Sequence, residues 1–230
     1  MQYVAFSGGK DSTALVLRLA ELGEDFTCLF TPTGDELPTL AVHISDIVAR
    51  IGRPLVCPPN KSLATWMEFH QALPNFRMRW CTRQIKIEPC IAYLVQHPGS
   101  TLLVGLRADE ESRVGLYGDY ATYRYPLREW GWALNDVRSY LQAQGVAVPM
   151  RTDCALCYGQ RLIEWWELWR EYPERFEQGV ELERRYGHTF RSAQRDSWPA
   201  ALSDLRARFL AGDKPKDTRA NQAACRVCTL

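Results

Sequence analysis

Ser7-Gly8-Gly9-Lys10-Asp11-Ser12 gathers two hydroxyls, two glycines, an ammonium and a carboxylate into six residues. That combination suits a phosphate. Glycines let the backbone approach an anion closely, and a helix N-terminus aims its unpaired N–H groups and positive dipole end at it. Lys10 adds a formal charge, while Ser7 and Ser12 add donors. The run follows a short apolar strand, Tyr3–Phe6, and opens an amphipathic helix, the context such a cradle needs. It is not the Gly-x-x-x-x-Gly-Lys-Ser/Thr loop, because Lys10 is followed by Asp11, nor does Gly8-Gly9 supply Gly-x-Gly-x-x-Gly. The expected ligand is a nucleotide.

Other residues carry chemistry further along. Arg77, Arg79, Arg83 and Lys86 concentrate cations within ten residues. Arg83 and Lys86 stand three apart, so on an α-helix they share a face that can clamp a phosphate or sulfate. Arg107 follows a strand end and is a candidate phosphate contact; Asp109, Glu110 and Glu111 are either Mg²⁺ ligands for a nucleotide or a solvated acidic loop. Cys154-x-x-Cys157 and Cys225-x-x-Cys228 are paired thiols that together could close a tetrahedral Zn²⁺ site or hold an iron–sulfur cluster. Cys28, in an expected core strand, reads as packing, and Cys57 and Cys90 as structural. His43, His70, His97 and His188 show no ligand spacing.

The elements that must position these residues alternate through the first half of the chain. Expected strands are Tyr3–Phe6, Phe26–Phe30, Pro54–Cys57 and Thr101–Val104. Between them lie expected helices: one from the loop to Gly23 with Leu15, Leu19 and Leu22 on one face, Leu37–Ile51 with Leu40, Ile44, Ile47 and Val48 inward, Ser62–Leu73 and Arg83–Gln96. Such alternation predicts an α/β fold with a doubly wound parallel sheet, its ligand beyond the carboxyl ends of the strands. Residues 107–130 read as loop. Beyond them a helix Asn135–Gln144 capped by Asn135, a Trp-rich helix Gln160–Trp169 whose aromatic stripe is for packing, and a helix over 197–210 predict a mainly helical, cysteine-bearing extension. The expected domains are 1–130, binding nucleotide, and 131–230.

The 230 residues carry a net charge of only +1, so no global field draws the chain to nucleic acid. The charge is uneven: residues 162–183 hold seven acids, and 184–226 hold ten Lys or Arg against four acids. A basic face or a mixed solvated surface can result. No signal-peptide pattern opens the sequence, and no apolar run reaches the roughly 20 residues of a membrane span, so a soluble, cytoplasmic protein without membrane partners is expected. In a reducing compartment the eight cysteines favour ligands or reactive thiols over disulfides.

Ser7–Ser12 resembles the PP-loop of the ATP pyrophosphatase (adenine nucleotide alpha hydrolase) superfamily, whose members split ATP between the α- and β-phosphates. Thr33-Gly34-Asp35-Glu36-Leu37-Pro38, Arg79-Trp80-Cys81-Thr82-Arg83-Gln84-Ile85-Lys86-Ile87-Glu88-Pro89 and Gly105-Leu106-Arg107-Ala108-Asp109-Glu110-Glu111-Ser112-Arg113 are similar to segments of the phosphoadenylylsulfate (PAPS) reductase family, the last with one residue of spacing unmatched. The resemblance implies an adenine nucleotide held by Ser7, Gly8, Gly9, Lys10, Asp11, Ser12, Thr31, Thr33, Gly34, Gly105 and Arg107. It implies a substrate held by Arg79, Arg83, Lys86 and Arg113. Lys10, Asp11 and Arg107 become the expected catalytic residues, with ATP and Mg²⁺ as cofactors.

Two departures refine this. Lys10 and Asp11 are intact where typical reductases have a degraded loop, and the reductases' C-terminal Glu-Cys-Gly-x-His is absent. The closer resemblance is therefore to the ATP-dependent sulfurtransferase branch, including DNA phosphorothioation enzymes. Expected is adenylation of a substrate for sulfur transfer, with a sulfur-donor protein as a candidate partner and a nucleic acid, received by segment 184–226, or a small molecule as acceptor. Reduction of PAPS with release of sulfite is one alternative; a non-catalytic nucleotide-binding protein with a structural zinc is another. Cluster-bearing relatives also suggest a second ligand set, Cys81 with Cys154 and Cys157, around a [4Fe-4S] cluster, beside the four-cysteine set Cys154, Cys157, Cys225 and Cys228.

Overall fold

The structure, a computed structural model, describes residues 1–113, 118–149, 151–193 and 195–217. Among the described residues two compact units form, Met1–Asn60 with Arg83–Thr152, and Lys61–Thr82 with 153–217.

In the first unit five parallel strands, β1 (Gln2–Ala5), β2 (Thr27–Leu29), β3 (Leu55–Val56), β4 (Thr101–Leu103) and β5 (Thr122–Arg124), lie in the order β3-β2-β1-β4-β5. The register pairs Val4 with Cys28 on one side and with Leu103 on the other. Alternation along the strands builds two apolar layers. Val4, Cys28 and Leu103 pack with α1 (Lys10–Glu21), α2 (Pro38–Ile51) and α6 (Leu134–Ala143). Tyr3, Leu29 and Leu102 face the other way, onto Cys90 and Leu94 of α4 (Glu88–Val95). Helices on both sheet faces confirm the doubly wound α/β expectation. Cys28 and Cys90 are buried packing residues, as expected, but Cys57, read as structural, is exposed. In α1, Leu15 and Leu19 are fully buried while Leu22 is 49% exposed, because the helix ends before it reaches the core.

Chain order reverses at β1, whose neighbours lead outward to β3 on one side and β5 on the other. That reversal opens a crevice beyond the carboxyl ends of β1 and β4, where such sheets bind ligands. The loops Phe6–Gly9 and Val104–Arg107 leave from these two strand ends.

Four expectations need correction. The span Arg83–Gln96 is not one α-helix: Thr82–Ile87 is π-helical and α4 follows. Pro89 explains the break, since it has no N–H for the carbonyl of Ile85, four residues back, and its ring crowds that carbonyl. Asn60 Nδ2 donates to Ile85 O instead, at 3.2 Å. A π-helical turn also spreads residues three apart, so Arg83 and Lys86 lose their common face. Asn135 is not a cap; α6 begins at Leu134, and Asp136 accepts the N–H of Ala133 at 2.8 Å. Residues 107–130, read as loop, hold β5 and the short helix α5 (Pro126–Glu129). The expected helix over 197–210 spans only Leu202–Leu210, labelled α9 below. As for domains, α6 lies in the first unit because Val137 and Leu141 join its core, and residues 61–82 lie in the second.

The second unit holds α3 (Leu63–His70), α7 (Leu162–Glu171), α8 (Pro173–Tyr186) and α9. The Trp-rich stripe packs, as expected: Trp165 is fully buried against Phe176 and Phe190, and Trp169 meets Phe209 at 5.5 Å. Gly179 of α8 admits this packing, since a Cβ there would stand 2.9 Å from Leu156 and Leu202.

Candidate functional site

The loop after β1 has the geometry a phosphate cradle needs. Gly8 has φ +72°, and a Cβ there would stand 2.6 Å from Leu40, so glycine is required twice over. Gly9 is the N-cap of α1 and offers no capping side chain, leaving the first turn's N–H groups for a ligand. The serines cross-link the loop. Ser12 Oγ donates to Gly9 O at 3.1 Å and accepts from Ser7 N at 3.3 Å, while Ser7 Oγ accepts from Gly9 N at 3.3 Å. Gly105, just past β4, lies against the same helix turn; a Cβ there would stand 3.3 Å from the backbone of Asp11 and Ser12.

Asp11 organises the charges. Its Oδ2 accepts from Lys10 Nζ at 3.0 Å and from Arg107 Nη1 at 2.9 Å. Its Oδ1 is buried and has no hydrogen-bond partner among the described residues. Arg107 is 1% exposed and is held in a carboxylate cage, by Asp11, by Asp109 through Nε at 2.9 Å, and by Glu110 at 3.6 Å. Burial alone would lower its pKa; the hydrogen bond to Asp109 and the charges of Asp11 and Glu110 reverse that and hold it above the ordinary value. Burial likewise pulls Asp109 upward, and Arg107 overcomes it, leaving that carboxyl below its usual range. Glu110 also pairs with Arg113. Asp109 and Glu110 are thus partners of arginines rather than a solvated acidic loop. Arg128, unnoticed in the sequence, donates to the carbonyls of Arg107, Glu110 and Arg113 and fixes this loop.

At the end of β2, Thr33 and Gly34 form a turn that Glu36 holds. Its carboxylate accepts from Thr33 N at 2.6 Å, Thr33 Oγ1 at 2.7 Å and Gly34 N at 3.0 Å. Glu36 was missed as a site residue, although Thr-x-x-Glu is the spacing by which a carboxylate reaches back to a turn's N–H groups. Thr31 is half-buried between β2 and this turn.

The remaining candidates are placed as follows. In the first unit, Arg83 is mostly exposed and pairs with Glu88 at 2.8 Å, and Lys86 is half-buried. In the second, Arg79 Nε donates to Tyr158 Oη at 3.0 Å, and burial, followed by the charge of Cys81, pushes the Tyr158 hydroxyl up to about 12. Cys154 and Cys157 stand on one tight turn, Cys157 N donating to Cys154 O at 3.2 Å, with Cys154 and Cys81 half-buried and Cys157 buried. That turn fits one bite of a metal. Cys225 and Cys228 lie outside the described residues. Among the described residues no group of three or more His, Cys, Asp or Glu is arranged to hold a metal ion, and no helix is long and apolar enough to cross a membrane. The arginines of the basic segment are largely paired: Arg184 with Glu181, Arg185 with Glu68, Arg191 with Asp196, Arg206 with Glu177 and Arg208 with Asp213.

Known proteins resemble this chain in sequence or in fold. An uncharacterized protein of Methanocaldococcus jannaschii is 25% identical over 211 residues, which cover 84% of this chain and 50% of the relative. The chain therefore spans about half the length of that curated relative. The phosphoadenylyl-sulfate (PAPS) reductase of Candida auris, solved as a phosphate complex, is similar in fold with a TM-score of 0.51 and 15% identity, over 64% of this chain and 74% of that one. A predicted subunit of tRNA methyltransferase from M. jannaschii covers 64% of this chain and 90% of its own, with 16% identity and a TM-score of 0.36. Residues 2–150, which contain all five strands and both loops of the crevice, match the phosphoadenosine phosphosulfate reductase domain, and the chain belongs to that family.

Proposed function

We propose that the chain binds ATP with its phosphates over Ser7–Ser12 and its adenosine toward Thr31–Gly34, and cleaves it between the α- and β-phosphates to adenylate an acceptor for sulfur transfer. The observation that carries this reading is the Lys10–Asp11–Arg107 chain of ion pairs at the open N-terminus of α1. An acceptor oxygen attacks the α-phosphorus, the bond to the bridging oxygen breaks, and pyrophosphate leaves. In this reading Lys10 and the N–H groups of the first turn stabilise the charge that develops on the leaving pyrophosphate. The donor set also fits Mg²⁺, which takes one or two carboxylates beside substrate phosphates; the unpartnered Asp11 Oδ1 would hold it, and the ion would screen the phosphate charge. Arg107 has its guanidinium committed to carboxylates, so it acts by fixing Asp11. A sulfur nucleophile, from a donor protein or from the cysteine site with Zn²⁺ or a [4Fe-4S] cluster, then displaces AMP.

Membership of the reductase family favours one other reading, reduction of PAPS to sulfite by a thiol. Product analysis separates the two. ATP, Mg²⁺, acceptor and sulfide should yield AMP and pyrophosphate, and Lys10→Ala should reduce both about a hundredfold or more. Sulfite from PAPS and a thiol donor, with ATP untouched, would overturn adenylation in favour of reduction.

A further inference from the structure

The second unit carries a surface that the adenylation reading does not use. Three of the molecule's exposed large apolar side chains fall within ten residues of one another: Phe69 at 71%, Phe76 at 50% and Met78 at 40% exposure. Single exposed apolar residues are ordinary; three this near in sequence make the segment a candidate for interaction.

The aromatic rings are ordered with respect to one another. His70 lies between two indoles, 5.8 Å from Trp66 at an interplanar angle of 23° and 4.7 Å from Trp80 at 31°. Phe69 stands edge-on to this ladder, 5.5 Å from Trp66 and 5.1 Å from His70, with most of its ring in water. Further along the segment, Phe76 meets Tyr158 at 5.2 Å.

Charge indicates what such rings would accept. Residues 61–82 hold three cations, Lys61, Arg77 and Arg79, against one acid, Glu68, and Arg185 already pairs with that acid. Two cations sit directly at the rings, Lys61 Nζ 5.3 Å from the centroid of Trp66 and the Arg195 guanidinium 5.4 Å from that of Phe76. An apolar protein partner would ask for rings without this excess of positive charge. Stacking faces flanked by cations match unpaired bases joined by phosphates.

We infer that the aromatic and cationic surface of residues 61–82 binds single-stranded nucleic acid, by stacking bases on Phe69 and Phe76 and neutralising phosphates with Lys61, Arg77 and Arg195. This moves nucleic-acid binding from segment 184–226 as a whole to residues 61–82 with Arg195 beside them; Arg184, Arg185, Arg191, Arg206 and Arg208 are engaged in internal ion pairs. It stands independently of nucleotide cleavage at the loop, so failure of one leaves the other intact.

The test is fluorescence anisotropy of the full chain with labelled 12-mer oligothymidine and oligouridine, beside a blunt duplex of the same length. Expected is saturable binding of the single strands, weakened about a hundredfold by a tenfold rise in salt if three phosphates are neutralised. Phe69→Ala and Phe76→Ala should each cost about tenfold, Phe69→Tyr should retain affinity, and Phe69→Leu should not. Val42→Ala, at an exposed apolar position of the first unit, should change nothing. Circular dichroism checks that each variant is folded. No binding, equal affinity for the duplex, or single-strand binding indifferent to both phenylalanines would overturn the inference. So would self-association of the protein that Phe69→Ala abolishes while oligonucleotides fail to bind.

Discussion

At the scale of single residues, Asp11 decides the site. One carboxylate oxygen joins Lys10 to Arg107, and the other is buried without a partner. Lys10→Ala should reduce pyrophosphate formation about a hundredfold or more while leaving the melting temperature nearly unchanged, because Lys10 is 28% exposed and its loss strands no buried charge. Arg107→Gln should behave differently. It leaves Asp11 and Glu110 around a vacated guanidinium site and should cost roughly 3–5 kcal/mol in chemical denaturation. Arg107→Lys should recover little of this, since an ammonium cannot reproduce the planar fork that meets several carboxylates. In the second unit, Glu183 accepts from Phe190 N at 2.9 Å and Leu202 N at 2.7 Å, yet burial pushes its carboxyl up from 4.5 to about 7. A folded-state pKa above the unfolded one means stability present below about pH 4.5 and lost as pH rises through 7, by a few kcal/mol at most. Glu183→Gln should flatten that part of the profile of unfolding free energy against pH; an unchanged slope would remove Glu183 as its source.

At the scale of elements, the sequence was most readable where one physical constraint dominates. α2 buries one stripe, α1 is buried continuously from Ser12 to Leu17, and β1, β2 and β4 are apolar runs that a sheet covered on both faces requires. The phosphate loop was legible because its glycines answer local sterics. Gly8→Ala should therefore lower the melting temperature by several degrees and weaken nucleotide binding, since it meets both a positive φ and Leu40. Less was legible where distant groups decide. β5 is a three-residue edge strand, Thr122-Tyr123-Arg124, with too little apolar content to announce itself. α8 is dense in Glu and Arg, and its start is set by Pro173 at the first helical turn. The π-helical turn depends on Pro89 together with Asn60, nearly thirty residues away. Asn60→Ala should orphan the Ile85 carbonyl and cost about 1–2 kcal/mol in stability. Glu36 and Arg128 also escaped notice, because they hold the site's turns by hydrogen bonds to backbone rather than by reaching toward a ligand.

At the scale of the whole molecule, a net charge of +1 conceals a division of labour. The first unit sets cations at the carboxyl ends of its strands, where the reversal of strand order opens a crevice, and family membership rests on that unit. The second unit pairs five arginines of its basic stretch internally and sets Lys61 and Arg195 beside the rings of Trp66 and Phe76. The cysteine motif is divided between the turn at Cys154–Cys157 and a pair outside the described residues, so metal analysis of the purified protein bears on it directly: one Zn²⁺ or one cluster per chain, lost in Cys154→Ser, is expected.

The central claim is that the turn after β1 grips the triphosphate of ATP. Calorimetric titration of ATP with Mg²⁺ into the wild-type chain and into folded Lys10→Ala tests it most directly. One saturable site in the wild type, weakened at least tenfold in the variant, is the predicted result; equal affinities, or no heat of binding to the wild type at millimolar ATP, would contradict it.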